Sequence, residues 1–308
     1  MRVLVTGMNG QVGRELRAAV WPEASELIAM DRTALDLASA ARMSPLFDSL
    51  APDVVVNAAA YTAVDRAEDE PDTAYQVNRD GPAALATACA ERGTALVHLS
   101  TDYVFDGSKT RPWTPADPVA PLGVYGASKA AGEAAVRERL DRHIILRTAW
   151  VHSDHGHNFV KTMLRAGAER DELKVVGDQI GGPTAASDIA AALVTLTGKI
   201  ADSRDGFGTY HFCGDPPVSW HGFARAIIDV AAPIWGRRPT LTEITSADWP
   251  TPAARPANSV LDCTSLLRDH GISQPDWRKS LKPVVARLLA QSLGEAGRGT
   301  GQSGDANL

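Results

Sequence analysis

The segment RVLVTGMNGQVGREL, residues 2–16, decides the fold. RVLVT is a short apolar, β-branched run that reads as a buried strand. After Gly7 the chain continues with Val12 and Leu16 at helical spacing. Gly7, Gly10 and Gly13 stand in G-x-x-G-x-x-G spacing between the two. A glycine turn that opens a helix lets main-chain N–H groups approach a pyrophosphate, and the helix dipole favours the negative charge there. Gly7, Asn9, Gly10, Gln11, Val12 and Gly13 are therefore assigned to dinucleotide binding. The plainer alternative is a tight strand–helix connection without a ligand.

Outward from that turn, more apolar runs follow: ELIAMD (26–31), DVVVNAAA (53–60), TALVHLST (94–101) and RHIILRTAWV (142–151), with shorter ones at 173–179 and 208–214. Helix-like stretches at 38–50, 72–92, 123–140, 157–168 and 187–199 alternate with them. Strands that are apolar throughout and alternate with helices form a parallel sheet covered on both faces, a doubly wound, Rossmann-like α/β fold. Residues 1–150 are expected to be the dinucleotide-binding domain, with sheet additions from about 170–215. Beyond residue 215 prolines become dense, as in DWPTPAARPANS (248–259), and helices at 219–232 and 277–293 lack partner strands. Residues 151–185 and 216–292 are read as a smaller C-terminal substrate-binding lobe. Residues 293–308, rich in Gly and Ser, are expected to be a disordered tail.

The 308 residues are 44% hydrophobic, enough for a sizeable core, and carry a net charge of −6. That charge argues against nucleic acid as a partner. No run approaches the roughly 18 apolar residues of a membrane span, and MRVLVTG has no apolar signal region. Cys89, Cys213 and Cys263 are far apart and outside metal-ligand spacing. They read as small core residues in a reducing, cytoplasmic setting.

Asp31 ends the second run, where an acidic residue bonds adenosine ribose hydroxyls and favours NADH; Arg32, beside it, would instead pair with the 2′-phosphate of NADPH. Both cofactors stay open. Asp36 and Leu37 would lie beside the adenine, unless Asp36 caps the helix at 38–50. VYGASKAAGE (124–133) places Tyr125 and Lys129 four apart on one helix face. An ammonium beside a phenol lowers its pKa from about 10 and equips it to exchange a proton with a carbonyl or alcohol. Gly126, Ala127 and Ser128 leave room there for a nicotinamide. Thr101, at the carboxyl end of the fourth run, can bond the substrate oxygen.

Thr101, Tyr125 and Lys129 in this order resemble the catalytic group of the extended short-chain dehydrogenase/reductase superfamily, over about residues 1–290. TGMNGQVGREL, NAAAYTAVDRAE, STDYVFDG, VYGASKAAGE, RTAWVH, DQIGGPT and RPANSVLD together are similar to the dTDP-4-dehydrorhamnose reductase family. The resemblance implies hydride transfer from NADPH or NADH to C4 of a dTDP-4-keto-6-deoxyhexose. Tyr125 would give the proton, Lys129 would hold the nicotinamide ribose, and Thr101 would orient the ketone. The product would be dTDP-L-rhamnose. Ala58, Ala59, Ala60 and Thr62 match positions that line the cofactor channel, although alanine also suits close helix–sheet packing. Asp102, Tyr103, Trp150, Asn158, Gln179 and Arg255 would contact the sugar nucleotide. For Trp150 the alternative is core packing, and for Arg255 a structural ion pair. Asn78 is read as support near the site.

Some members of the family hold magnesium with glutamates at a dimer interface. Glu15 matches one of them, but Ser187 stands where a second is expected, so no metal is expected; a monomer and a homodimer both remain open. His152, His155 and His157 are read as an irregular loop. Tyr61 replaces the family's common histidine. Dehydratases of the superfamily need a T-D-E run, and here Tyr103 follows Thr101-Asp102. Reduction of another dTDP-4-keto-deoxysugar remains an alternative, as does a non-catalytic NADP-binding subunit like the methionine adenosyltransferase beta subunit.

Overall fold

The computed structural model describes residues 1–39, 43–201, 203 and 205–299. Its main sheet contains β1 (Arg2–Thr6), β2 (Glu26–Met30), β3 (Val54–Asn57), β4 (Ala95–Thr101), β5 (His143–Thr148) and β10 (Gly208–His211). All pairings are parallel, in the order β10-β5-β4-β3-β1-β2. The chain winds outward from β1 to β2, then returns to continue from β3 on the other side. The crevice beyond the carboxyl ends of β1 and β3 is thus the switch point, where such sheets bind ligands.

Both sheet faces are covered. On one, Val3, Val5, Val54, Val56 and Val97 pack against Leu16 of α1 (Gln11–Ala18) and Ile189, Leu193 and Leu196 of α8 (Ala186–Ile200). On the other, Leu4, Val55, Leu96 and Ile145 meet Phe47 of α2 (Met43–Leu50), Leu85 of α5 (Gly81–Ala90) and Val136 of α6 (Val124–Arg139). Successive strand residues feed opposite cores, which is why the runs are apolar throughout.

The single helix expected at 72–92 is interrupted. After the short α3 (Val64–Ala67) come α4 (Pro71–Tyr75), a π turn at Gln76–Asp80, and α5. Pro82 has no N–H to give the carbonyl four residues back, so the ladder fails at Asn78. Helix α6 packs into that gap: a Cβ on Gly132 would lie 2.0 Å from the Asn78 carbonyl oxygen. At 38–50, the observed helix is α2, from Met43; residues 40–42 lie outside the described residues.

Of the stretch at 170–215, only β10 joins the main sheet. β6 (Val151–His152) pairs with β9 (Thr184–Ala185), β7 (Glu172–Val176) with β12 (Thr240–Ile244), and β8 (Ile180–Gly181) with β11 (Val218–Ser219). β7 alternates exposed and buried residues, the pattern of a strand covered on one face, so it belongs to the lobe. There α7 (Phe159–Glu169), α9 (Trp220–Trp235) and α11 (Trp277–Gly299) enclose Val160, Phe223, Ile227, Leu281 and Val285. α10 (Thr264–His270) sits against β10. α11 runs past the expected tail boundary at 293, because extending a formed helix costs far less than starting one. The rest of the tail, 300–308, lies outside the described residues.

Candidate active site

The glycine turn is held by contacts that no side chain could share. Gly7 has φ +76°, and a Cβ there would lie 2.6 Å from the Ala59 nitrogen. A Cβ on Gly13 would lie 2.3 Å from the Gly7 carbonyl oxygen. The first helical bond of α1 runs from Arg14 N–H to the Gly10 carbonyl, so the amides of Gln11, Val12 and Gly13 precede the ladder. No side chain caps this end. The turn therefore offers main-chain donors and a close-approach surface, which fits a dinucleotide pyrophosphate. Ala58, Ala59 and Ala60 are half-buried beside it, and Thr62 is exposed.

Asp31 accepts from the amides of Thr33 and Ala34, which together with Asn9 hold its carboxyl below the usual range. Exposed Arg32 pairs with Asp36 at 3.6 Å. Asp36 does not cap a helix: it accepts from Ala38 N–H in a local turn. Leu37 is buried in the second core, with its Cβ 2.7 Å from the position a Gly81 side chain would take, so its side chain is core rather than an adenine contact.

Thr101 ends β4. Its hydroxyl donates to Asp102 Oδ1 at 3.0 Å and accepts from the Tyr103 amide. Asp102 is buried with no partner on Oδ2, and desolvation pushes it up to about 6. The Ser259 and Thr101 hydroxyls oppose that shift in part. The ring of Tyr103 packs edge-on against Tyr125, 5.6 Å between centroids.

On α6 the structure differs from the expected phenol–ammonium pairing. Lys129 turns its nitrogen to the Leu99 carbonyl (2.7 Å) and to His98 Nε2 (3.4 Å). Burial pushes the lysine down to about 8 and Tyr125 up to about 12, with the Thr101 hydroxyl opposing the latter shift. Desolvation outweighs the ammonium because the lysine nitrogen is drawn to the sheet. The small residues of VYGASK have a further purpose. A Cβ on Gly126 would lie 2.1 Å from the Tyr103 carbonyl oxygen. Ser128 is fully buried and receives a hydrogen bond from Asn78, whose amide also clamps both main-chain polar groups of Tyr61. Asn78 is thus the support expected, delivered by the π turn.

The expected sugar-nucleotide contacts are mostly engaged with protein. Asn158 caps α7 by accepting from Lys161 N–H, and its amide donates to Gln11 Oε1 and to the carbonyls of Ser153 and His155. Gln179 donates to Ser246. Trp150 is sandwiched between Trp220, stacked at 3.5 Å, and Gly181, where a Cβ would lie 2.5 Å from its ring. Trp150 is half-buried, and these contacts are the packing alternative. Arg255 forms an ion pair with Asp65 at 2.9 Å, the structural alternative. Phe105 stacks on Trp113 in the core beneath.

The three loop histidines do not converge: His152 is buried against Phe223, while His155 lies near Glu15 and Asp154. The ligand atoms of those last three lie within 4.8 Å of one another, and Arg287 binds Asp154 at 2.8 Å. Sequence reasoning missed Asn57 and His98, which meet side by side in adjacent strands. It also missed Glu133, buried beneath the site and bonded to Arg147 and Ser100. The available signal was polar residues inside fully buried strands.

A family model described as the RmlD substrate binding domain matches residues 1–290. A dTDP-4-dehydrorhamnose reductase of Sinorhizobium fredii is 45% identical over 94% of this chain and 99% of its own length. One from Aggregatibacter actinomycetemcomitans is 45% identical over 92% and 98%. The crystal structure of a dTDP-4-dehydrorhamnose reductase from Clostridium acetobutylicum superposes with a TM-score of 0.88 at 38% identity, covering 94% of this chain and all of that one. That of the Bacillus anthracis enzyme, in complex with NADP, gives 0.85 at 36% identity, covering 93% and 99%. The main-chain cradle at Gly7–Gly13, the Thr101–Tyr125–Lys129 group and this end-to-end similarity agree: the chain belongs to the RmlD substrate binding domain family, that of the dTDP-4-dehydrorhamnose reductases.

Proposed function

We propose that the chain reduces the C4 ketone of dTDP-4-dehydro-L-rhamnose to dTDP-L-rhamnose with NADPH or NADH. The observation that carries the reading is the Thr101 hydroxyl beside Tyr125, with Lys129 on the Leu99 carbonyl at the β4 end, next to a glycine turn closed against Ala58 and Ala59. The amides of Gln11–Gly13 would bind the pyrophosphate, and Asp31 and Arg32 lie where the adenosine ribose would. The nicotinamide cofactor, when bound, supplies the hydride.

Tyr125 remains a neutral phenol at pH 7, since burial keeps its pKa about 12. That suits reduction: the group has to hold a proton until an alkoxide, a stronger base, forms at C4. Thr101 turns its hydroxyl from Asp102 to the ketone oxygen and aligns it with Tyr125. Lys129, near 8, is mainly an ammonium at neutral pH and would hold ribose hydroxyls. Arg255 can meet the diphosphate only by leaving Asp65. Tyr103 borders the sugar, while Asp102, Trp150, Asn158 and Gln179 shape the pocket from behind.

Among the described residues no helix is long and apolar enough to cross a membrane. We place the reaction in the cytoplasm, with a small sugar nucleotide and not nucleic acid as partner, and with a monomer or homodimer as the working unit. The test mixes the protein with enzymatically made dTDP-4-keto-6-deoxyglucose and a matching 3,5-epimerase, and follows the absorbance of NADPH, then of NADH. Ketone-dependent oxidation is expected. Cofactor binding without oxidation would instead favour the regulatory subunit, and turnover without the epimerase a different keto-sugar.

A further inference from the structure

The catalytic lysine ends a buried row of hydrogen bonds that crosses three strands. Thr6, Asn57 and His98 are register partners on β1, β3 and β4. Thr6 Oγ1 donates to Asn57 Oδ1 at 2.7 Å, Asn57 Nδ2 lies 3.0 Å from His98 Nδ1, and His98 Nε2 lies 3.4 Å from Lys129 Nζ. None of the four residues is more than 2% exposed.

The protons in this row follow from one fixed donor. The Ala59 main-chain N–H donates to Asn57 Oδ1 at 3.2 Å, and a main-chain amide has no other polarity to offer. Asn57 therefore presents its NH2 to His98. The Nδ1 of His98 has to accept, so the neutral ring carries its proton on Nε2. That N–H faces Lys129. An ammonium there would set donor against donor, whereas an amine would accept the bond. Glu133, one turn further along α6, offsets this only in part: it favours the ammonium from a distance, while both its oxygens are engaged by Arg147 and Ser100.

We propose that His98 is a positioning residue for Lys129: its Nε2–H bonds the amine form and opposes the ammonium form, which the Leu99 carbonyl keeps at the β4 end until a cofactor hydroxyl offers a further acceptor. The row starts at Thr6, next to Gly7, so the glycine turn and the lysine are set by one continuous polar seam. This rests on the reductase reading, in which Lys129 holds the nicotinamide ribose.

The test is the pH dependence of NADPH binding, followed by fluorescence, and of kcat, in the wild type, His98→Asn and His98→Gln. His98→Asn keeps an acceptor for Asn57 and removes the donor from Lys129. His98→Gln reaches Lys129 with an amide oxygen that accepts from the ammonium. Groups facing the pair are Glu133 on α6, and His143 and the Glu133-bound Arg147 on β5; these stay unchanged. The sign is fixed: His98 disfavours the charged lysine, so its removal raises the lysine pKa, and the ammonium persists to higher pH. In both variants the alkaline fall of NADPH affinity and of kcat should move up by about one pH unit. If either variant folds, binds NADPH and keeps the wild-type limb, the proposal is overturned. If the wild type binds NADPH but turns over no ketone, the reductase reading fails, and the binding limb alone decides the role of His98.

Discussion

On the sheet side, the groups proposed to meet a ligand are main chain: amides of Gln11–Gly13, bared by glycines where any Cβ would clash with main-chain atoms. On the lobe side they are side chains, and most already hold other side chains: Asn158 holds Gln11, Gln179 holds Ser246, Arg255 holds Asp65 and Trp150 holds Trp220. A main-chain cradle is rigid and keeps its donors free. A side-chain wall obtains its shape by spending its hydrogen bonds internally. Affinity for the cofactor should therefore depend on backbone geometry at a few glycines. Affinity for the sugar nucleotide should depend on how readily the wall exchanges protein partners for ligand.

The sharpest challenge to this contrast lies between the two walls. Tyr125→Phe should cut kcat by about a hundred- to ten-thousand-fold while leaving NADPH affinity within about twofold, since the phenol acts only in proton transfer. Near-normal turnover by this variant would remove the proton-donor role. Next in size, Gly13→Ala should weaken NADPH binding by about a hundredfold, because the added methyl has to displace the Gly7 carbonyl; isothermal titration gives the number. Arg32→Ala should cost about tenfold in KM for NADPH and little for NADH, as expected of one exposed phosphate contact; equal losses for both would assign it to folding of the turn. Smallest in kinetics is Asn158→Ala. It should lower stability by about 1–2 kcal/mol in urea unfolding through loss of the α7 cap, with KM for the sugar nucleotide within about twofold. A tenfold rise in KM would show that the lobe wall contacts ligand directly, and would break the contrast.

Gly7, Gly10 and Gly13 could be read in advance because a strand, a glycine turn and a helix lie consecutively in the chain, and main-chain geometry is local. Tyr125, Lys129 and Thr101 stand out in the sequence by spacing and strand-end position, which is what the proposal rests on. The protein partners of Asn158 and Gln179 are not legible in sequence: whether a buried amide is free or engaged depends on Gln11 and Ser246, which are distant along the chain. Trp150 was ambiguous for the same reason, as its partners Trp220 and Gly181 come from two other segments. The charge state of Lys129 depends on His98, which sequence shows only as a polar residue in a buried strand. The π turn followed from Pro82, a visible residue whose effect on Asn78 needs the packing of Gly132 to be appreciated. β7 lies in the expected range of sheet additions but pairs with β12 in the lobe, a partner 68 residues further along the chain that sequence does not reveal.

The coplanar indoles of Trp150 and Trp220 have a use beyond packing. One follows β5 of the main sheet and the other begins α9 of the lobe, with 3.5 Å between ring centres. Two such chromophores at this separation couple their transitions, and the coupling weakens as the rings move apart and changes with their angle. Near-ultraviolet circular dichroism of the unlabelled protein should thus register any rocking of the lobe as substrate enters.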